Sequence, residues 1–565
     1  MGYLIDKNAK NVWVRDHADT EDLSVMPNAN SVYFNNGRTM EQEFGKGAMV
    51  SNVVTIDSGM EKVIDGTYDG AYESCKMYGK SLVNLLNSKQ ATPTLHFSSN
   101  NDGKYENIVK SNGLIEFDIV GSENPGNYQY INMGKVNVDL LKPNTRYLVL
   151  FEEITGIDTV SIRDGNSANT VADYTKVGGK QYVILTTLSE WQKSNQILYL
   201  YVQSKTGIHV KVKNAMIIEY QEGMEHWDLD YFEGLCDVKA PILKNIGKNI
   251  LPKEIGKWYS CYFKKGTTFQ LTTKDNNPSK GGNIVFVDGS GAKMWMGING
   301  GTTKKTYTLP NDAYKISNQL TSGVEYQLEI NINATLYEDY KTNILETSND
   351  IVLRGMPNGV RDSYDCLTGE YVQRVGEIVF DGSDDEDWFE NNNFPHNGQI
   401  VYGIRVANLN SGVPHPDGLS DTLPFIRKGY ESNKPSVSTY MRDIYVRING
   451  GTKEDLKAYL SQNPLTIQYE LTEPIVTTIE PSTTPFAYEN GHIILESGHE
   501  GQSLLPTLEY QTVVSRSGQV TMIDKTIQQH ERKITLLEKM LVQNIIDIEY
   551  KNTLLALKLE IDEVI

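Results

Sequence analysis

KPNTRYLVLF, residues 142–151, reads as a turn followed by a strand, and the same wording of turn and strand recurs along most of the chain. Lys142-Pro143-Asn144 supplies a fixed φ and a residue that tolerates tight turns. Beyond it Leu148 and Leu150 alternate with Tyr147, Val149 and Phe151, the two-residue period of a strand with two different faces. Outward from there, residues 197–202 and 210–218 are mostly apolar, β-branched or aromatic and are bounded by turn residues, as strands deep in an antiparallel sandwich are. Residues 284–287, the turn Asp288-Gly289-Ser290-Gly291 and residues 293–296 read as a hairpin. Further on, Val375, Ile378 and Phe380 lead into a turn at Asp381-Gly382, residues 400–406 and 444–448 alternate, and residues 453–460 carry a short helical spacing. Pro474, Pro481 and Pro485 then forbid long regular elements. The fold class is all-β.

A chain of 565 residues holds several compact units, and its 39% hydrophobic content with abundant Gly, Asn, Thr and Tyr suits short strands and many turns. We divide it into a polar N-terminal segment of small strands and extended arms (1–75), a first β-sandwich (76–230), a linker and second sandwich (231–344), a third β-rich domain (345–515) and a helical segment (516–565). The two sandwiches share end markers. Gly79-Lys80-Ser81-Leu82-Val83-Asn84 opens the first and Gly247-Lys248-Asn249-Ile250-Leu251 the second, while Met216-Ile217-Ile218-Glu219-Tyr220 and Leu328-Glu329-Ile330-Asn331-Ile332 close them. A period near 170 residues is too long for a solenoid, so tandem domains are the better account.

The formal net charge of -19 repels phosphate backbones and anionic headgroups, which argues against nucleic acid as a partner. Cys75, Cys236, Cys261 and Cys366 lie far apart without paired spacing and read as buried free thiols rather than a zinc site or disulfide framework. The first residues turn charged too soon for a signal peptide, Asp6 stands where a myristoylation site needs Ser or Thr, and no apolar run reaches membrane-spanning length. No membrane insertion is expected.

From about Ser517 the period changes from two to seven. Val520, Ile523, Ile527, His530, Ile534, Leu537, Leu541, Asn544 and Ile548 recur at alternating separations of three and four, the seam of a coiled coil. One narrow apolar stripe cannot bury itself, so the helix needs sister copies or the flank of its own β domain. His530 and Asn544 are polar seam residues of the kind that fix register and strand number.

Three longer phrases stand out: YFEGLCDVKAPILKNIGKNI at 231–250, GVRDSYDCLTGEYVQRVGEIVFDGSDDEDW at 359–388 and RINGGTKEDLKAYLSQNPLTIQYELTEPI at 447–475. Their order and wording resemble the structural and host-attachment proteins at the tail tip of bacteriophages that infect Gram-positive bacteria. In that family Y-F-E-G-L precedes G-K-N, R-D-x-x-D-x-x-T-G leads into R-x-G-x-I-V-x-D-G-S, and Y-E-L-x-E-P forms a strand. The resemblance covers roughly residues 225–540 and brings no catalytic residues. It implies a tail fibre, receptor-binding or baseplate protein located in the virion and made in the host cytoplasm. It also implies tandem jelly-roll sandwiches like carbohydrate-binding modules, and a homotrimer held by the coiled coil. The implied partners are other tail and baseplate proteins and host cell-surface polysaccharide or teichoic acid. A purely structural scaffold and a glycan-degrading tail spike are the rival readings.

No nucleophile elbow, phosphate loop, zinc-protease motif or EF-hand loop is present; Gly79-Lys80-Ser81 lacks the first glycine of a phosphate loop, since Ser74 occupies that place. The chain is read as non-enzymatic, with no cofactor and no metal. Asp381, Asp384, Asp385, Glu386 and Asp387 could ligate calcium but read equally as a solvated hairpin tip. Sugar binding needs flat aromatic faces beside hydroxyl-binding side chains. Trp258 and Tyr259 near the start of the second sandwich, Trp295 on its hairpin, and Trp388 with Asn392 and His396 in a loop are the candidates. The plainer reading of each tryptophan is a core residue.

Overall fold

The computed structural model describes residues 48–515 apart from short stretches, the longest being 392–399 and 426–435, together with 2–4, 13–15, 23–24, 531 and 534. Strands dominate. Among the described residues one helix has both ends, Lys453–Gln462, opened by a capping box between Thr452 and Asp455. The expected seam residues Val520, Ile523, Ile527, His530, Leu537, Leu541, Asn544 and Ile548 lie outside the described residues; Ile534 is helical and 55% exposed.

At the centre is a hub assembled from distant parts of the chain. Its seven-stranded antiparallel sheet runs in the order Gly418–Ser420, Leu465–Thr478, Glu370–Phe380, Ser363–Asp365, Ser74–Tyr78, Thr507–Gln511, Val54–Ile56. A four-stranded sheet of Thr342–Glu346, Pro241–Ile246, His492–Ser497 and Met60–Lys62 belongs to the same body. Met77, Cys236, Leu243, Leu353, Tyr364, Ile493, Leu508 and Tyr510 meet in one buried cluster. The linear division assigns Ser74–Tyr78 and Thr507–Gln511 to different units, yet they are neighbours in this sheet. All four cysteines are free and buried.

Three hub strand pairs open outward into large insertions. Ser81–Val83 pairs with Leu235–Lys239, Pro241–Ile246 with Thr342–Glu346, and Glu370–Phe380 with Leu465–Thr478. Between the partners lie, in turn, residues 84–234, 247–341 and 381–464. The first insertion holds two five-stranded sheets whose inward residues, among them Ile131, Leu200, Phe117 and Val149, form one cluster. The second packs a four-stranded sheet and a three-stranded sheet around Phe269, Phe286, Met296 and Leu328. The third sets the sheet containing Ile400–Arg405 and Asp443–Ile448 beside the helix, with Trp388, Leu456 and Leu460 in its core.

The two long insertions are tied down by the same device. Asn84 Oδ1 accepts the N–H groups of Leu86 at 3.0 Å and Ile217 at 3.1 Å, and its Nδ2 donates to the Phe232 carbonyl at 2.7 Å. Asn249 Oδ1 accepts those of Leu251 at 3.2 Å and Leu328 at 3.1 Å, and its Nδ2 donates to the carbonyls of Tyr326 and Glu338 at 3.2 and 3.3 Å. Next to each amide the backbone bond repeats as well, from Leu85 to Ile217 at 2.8 Å and from Ile250 to Leu328 at 2.9 Å. Both amides are buried, where an unmade hydrogen bond would be costly, so each fixes the way into a unit against the strand that leaves it. At the third insertion a carboxylate closes the entry turn alone. Glu386 Oε1 accepts the N–H groups of Asp381 at 2.7 Å and Gly382 at 3.1 Å.

The long sequence phrases resolve into similar bonds. The ladder between Glu370–Phe380 and Leu465–Thr478 shifts register between Gln373 and Val375, freeing backbone groups from the ladder. Asp362 receives them: its carboxylate accepts the N–H groups of Arg374 at 2.6 Å, Val375 at 2.9 Å and Arg354 at 3.0 Å. Asp365 Oδ1 accepts those of Leu367 and Thr368 at 2.9 and 3.1 Å, closing the turn that leads into the next strand. Gly369 completes it at φ +72°, where a Cβ would also lie 2.5 Å from the Ile479 carbonyl oxygen.

Candidate functional site

Hairpin register builds an aromatic row on the second insertion. Trp258 pairs with Ser317, Ser317 with Val285, and Val285 with Trp295, so one cross-strand row crosses all four strands of the sheet. Paired residues share a face, and the alternate residues Ile284, Phe286, Met294 and Met296 point into the core. The two tryptophans therefore stand on the outer face, 37% and 49% exposed, with their backbones three strand spacings or about 14 Å apart. Between them Val285 and Ser317 are fully buried, and the Ser317 hydroxyl has no protein hydrogen-bond partner among the described residues.

The flanking rows on this face are polar apart from Val287, which stands between two lysines. Asn283 and Gln319 are paired on one side, and Gly297 across from Asn283 leaves it uncovered. On the other side stand Lys293 and Lys315, both exposed, with the Lys293 ammonium 5.9 Å from the centre of the Trp258 ring. Two flat apolar rings, an amide pair and two ammonium groups on a rigid sheet are the ingredients for holding a sugar chain: stacking on its C–H faces, and hydrogen bonds to its hydroxyl or acidic groups. Sequence reading singled out the two tryptophans; it missed Ser317, Asn283, Gln319 and the lysines, whose relation to the row exists only through register.

The other candidates fall elsewhere. Tyr259 follows Trp258 and so points to the opposite side of the strand, where it packs against the core with Lys257 and Lys244 over its ring at 5.5 and 5.8 Å. It is not part of the exposed row. Trp388 is a correction to the sequence reading. It is 2% exposed, its ring lies 4.9 Å from that of Phe380, and its Nε1–H donates to Glu386 Oε2 at 2.7 Å. An inward-turned carboxylate next to the turn gives the indole a buried partner, so the ring fills the core of the third insertion and offers no platform. Asn392 and His396 lie outside the described residues.

A second polar cluster sits in the hub. Arg354 Nε lies 3.3 Å from Glu377 and 3.7 Å from Asp237, and Gln468 Nε2 donates to both carboxylates at 2.9–3.1 Å. Burial raises the Asp237 carboxyl, against hydrogen bonds from Ser81 and Gln468 that lower it. The two acids are held by Ser81, Gln468 and Arg354, protein donors on three different hub strands or connections, which makes the cluster a cross-brace. Among the described residues no group of three or more His, Cys, Asp or Glu side chains is placed to hold a metal ion. No helix among them is long and apolar enough to cross a membrane.

Comparison with family models finds no match, and comparison with curated proteins finds none. Among solved structures the chain shows a distant likeness to one described as the crystal structure of infectious bursal disease virus VP2 subviral particle. The identity is 8%, the TM-score is 0.11, and the alignment covers 86% of this chain and 90% of that one. A likeness of that degree carries no argument about fold or function.

Proposed function

We propose that this protein is a non-enzymatic attachment protein of a bacteriophage tail tip or baseplate, binding cell-wall glycan of a Gram-positive host. The observation that carries the reading is the Trp258–Trp295 row with its amide and lysine flanks, a surface with little purpose inside a folded monomer. The first two insertions act as jelly-roll sandwiches of the carbohydrate-binding-module kind, each seated directly on the hub through residues such as Leu148 and Ile218 of the first and Ile494 beneath the second. The C-terminal seam gathers three copies, and the exposed Ile534 on its helix supports a stripe that needs sister chains. Weak contacts at each row then add through symmetric copies, and avidity multiplies a single-site affinity roughly 10²- to 10⁴-fold. Polysaccharide or teichoic acid is the receptor class, other tail and baseplate proteins are the neighbours, and the virion is the location.

A scaffold reading has its own support. The long phrases shared with tail proteins resolve here into structural bonds of Asp362, Asp365 and Phe232 rather than into an exposed site. Incubating the purified full chain with Gram-positive walls separates the readings. Retention on the wall is the outcome for an attachment protein, released saccharide that for a glycan-degrading spike, and neither that for a scaffold.

A further inference from the structure

The first insertion presents a second aromatic face at the place in its fold that corresponds to the tryptophan row. In each insertion one sheet carries the strand bound by the clamp amide: Ile208–Glu219 with Ile217 in the first, Tyr326–Ile330 with Leu328 in the second. The tryptophan row lies on the other sheet of the second insertion. The corresponding sheet of the first insertion is ordered Thr94–His96, Tyr128–Lys135, Gln196–Gln203, Thr159–Asp164, Thr170–Lys176. Ile131, Leu198, Leu200, Val160 and Ile162 point from it into the core, so alternation sends Tyr130, Tyr199, Tyr201 and Arg163 to its outer face.

These residues form one continuous layer. Tyr130 meets Tyr199 edge-on at 5.0 Å, and Tyr201 lies 4.9 Å from Tyr174. The Arg163 guanidinium stands 5.4 Å from the centre of the Tyr174 ring and donates to the hydroxyls of Tyr174 and, at 3.4 Å, Tyr201. Tyr174 is 49% exposed, whereas Tyr201 beside it and Tyr199 beyond are buried. Lys176 is exposed in the row of Tyr130, Tyr201 and Thr159. Within the rows running through Tyr130, Tyr199 and Arg163, no Asp or Glu stands among the described residues. This is a cationic patch on a chain whose formal charge is -19, and its charge complements an anion.

We propose that this tyrosine–arginine face is a second glycan-binding site, selective for saccharides that carry a carboxylate or phosphate, so that each chain is bivalent. The proposal rests on the reading of the tryptophan row as a glycan site. Tyr174 offers its ring to the apolar face of a pyranose, while Arg163, which holds the Tyr174 and Tyr201 hydroxyls, and the exposed Lys176 place positive charge beside that ring for the acidic group. The buried Tyr199 and Tyr201 hold the layer rigid.

The test is equilibrium binding of the full chain to immobilised polygalacturonate (carboxylate-bearing), phosphomannan (phosphate-bearing) and dextran (neutral). It compares the parent, W258A/W295A, and W258A/W295A combined with either R163M or Y174A. Tyr174 is half exposed, so Y174A keeps the test valid if R163M fails to fold. The expected result is that W258A/W295A retains binding to at least one acidic polymer, with dextran far weaker, and that either added substitution lowers it about tenfold; which acidic polymer is held distinguishes carboxylate from phosphate. Residual binding unchanged by R163M and Y174A, or shared equally by dextran, overturns the proposal while leaving the tryptophan site intact. Loss of all binding in W258A/W295A overturns it in the same way. A parent chain that binds none of the three polymers overturns both readings.

Discussion

Asn84 and Ile217 hold each other twice: the Asn84 side-chain oxygen accepts the Ile217 N–H at 3.1 Å, and the residue after Asn84 donates its own N–H to the Ile217 carbonyl at 2.8 Å. Asn249 and Leu328 repeat the arrangement bond for bond. Two insertions of different size and different internal sheets thus share one anchor. Such an anchor lets the body of a unit vary while its attachment to the hub stays fixed.

Asn249→Ala removes an acceptor and a donor from a buried site and strands the N–H groups of Leu251 and Leu328. Orphaned buried groups cost roughly 1–3 kcal/mol each, so a local loss of about 3 kcal/mol is expected. Hydrogen exchange should quicken across Tyr326–Ile330 and leave hub strands such as Ser74–Tyr78 protected. Equal quickening in the hub would mean that the amide supports the whole body rather than one insertion.

His492 should contribute a loss of stability in acid. The ring is 3% exposed, neither nitrogen has a partner among the described residues, and burial, with Lys62 nearby, lowers its pKa to about 4. Its unfolded form takes up a proton near 6.5, so its contribution is intact above that pH and is lost progressively down to about 4, by up to roughly 3 kcal/mol. Asp362 works in the opposite sense: burial pushes its carboxyl up to about 6, so its penalty is relieved as the pH falls below that value. Subtracting the urea-unfolding curve of His492→Phe from that of the parent isolates the histidine. The difference should be flat above pH 6.5 and grow between 6.5 and 4; a flat difference throughout would rule out His492 as the acid-sensitive group.

Trp388 and the exposed pair should part company under mutation. Trp388→Ala empties a buried indole site and costs about 3–5 kcal/mol in the third insertion, with saccharide affinity unchanged once the protein is folded. Trp258→Ala with Trp295→Ala should do the reverse, sparing the melting temperature. Calorimetry and a binding isotherm on the same samples check both halves.

Cutting the chain before Ser517 should leave a monomer that holds cell walls poorly at equal chain concentration. Light scattering and a wall-binding isotherm measure the two effects. Equal retention per chain by both forms would remove avidity from the account.

The alternation of Tyr147 to Phe151 was legible because a strand writes its two faces into neighbouring residues. The paired end markers around Asn84 and Asn249 were legible because each unit is entered through an asparagine whose amide bonds the strand that leaves it. The hub was not. Ile64 donates to the Tyr510 hydroxyl across 446 positions at 3.3 Å, and pairing at that separation leaves no local pattern. The role of Trp388 was hidden for a related reason: Asp384, Asp385 and Asp387 make its neighbourhood look solvated, and only the inward turn of Glu386 buries it. For Trp258 and Trp295 residue type was a sufficient hint, but Ser317 and Gln319 join them only through a strand pairing that sequence does not display.

The most direct test of the central claim is the retention of the full chain and of its W258A/W295A variant on purified Gram-positive cell walls, measured as bound fraction against concentration with matched melting temperatures. The account predicts saturable binding by the parent and at least a tenfold weaker isotherm for the variant, about 1.4 kcal/mol or more. Superimposable isotherms would contradict it.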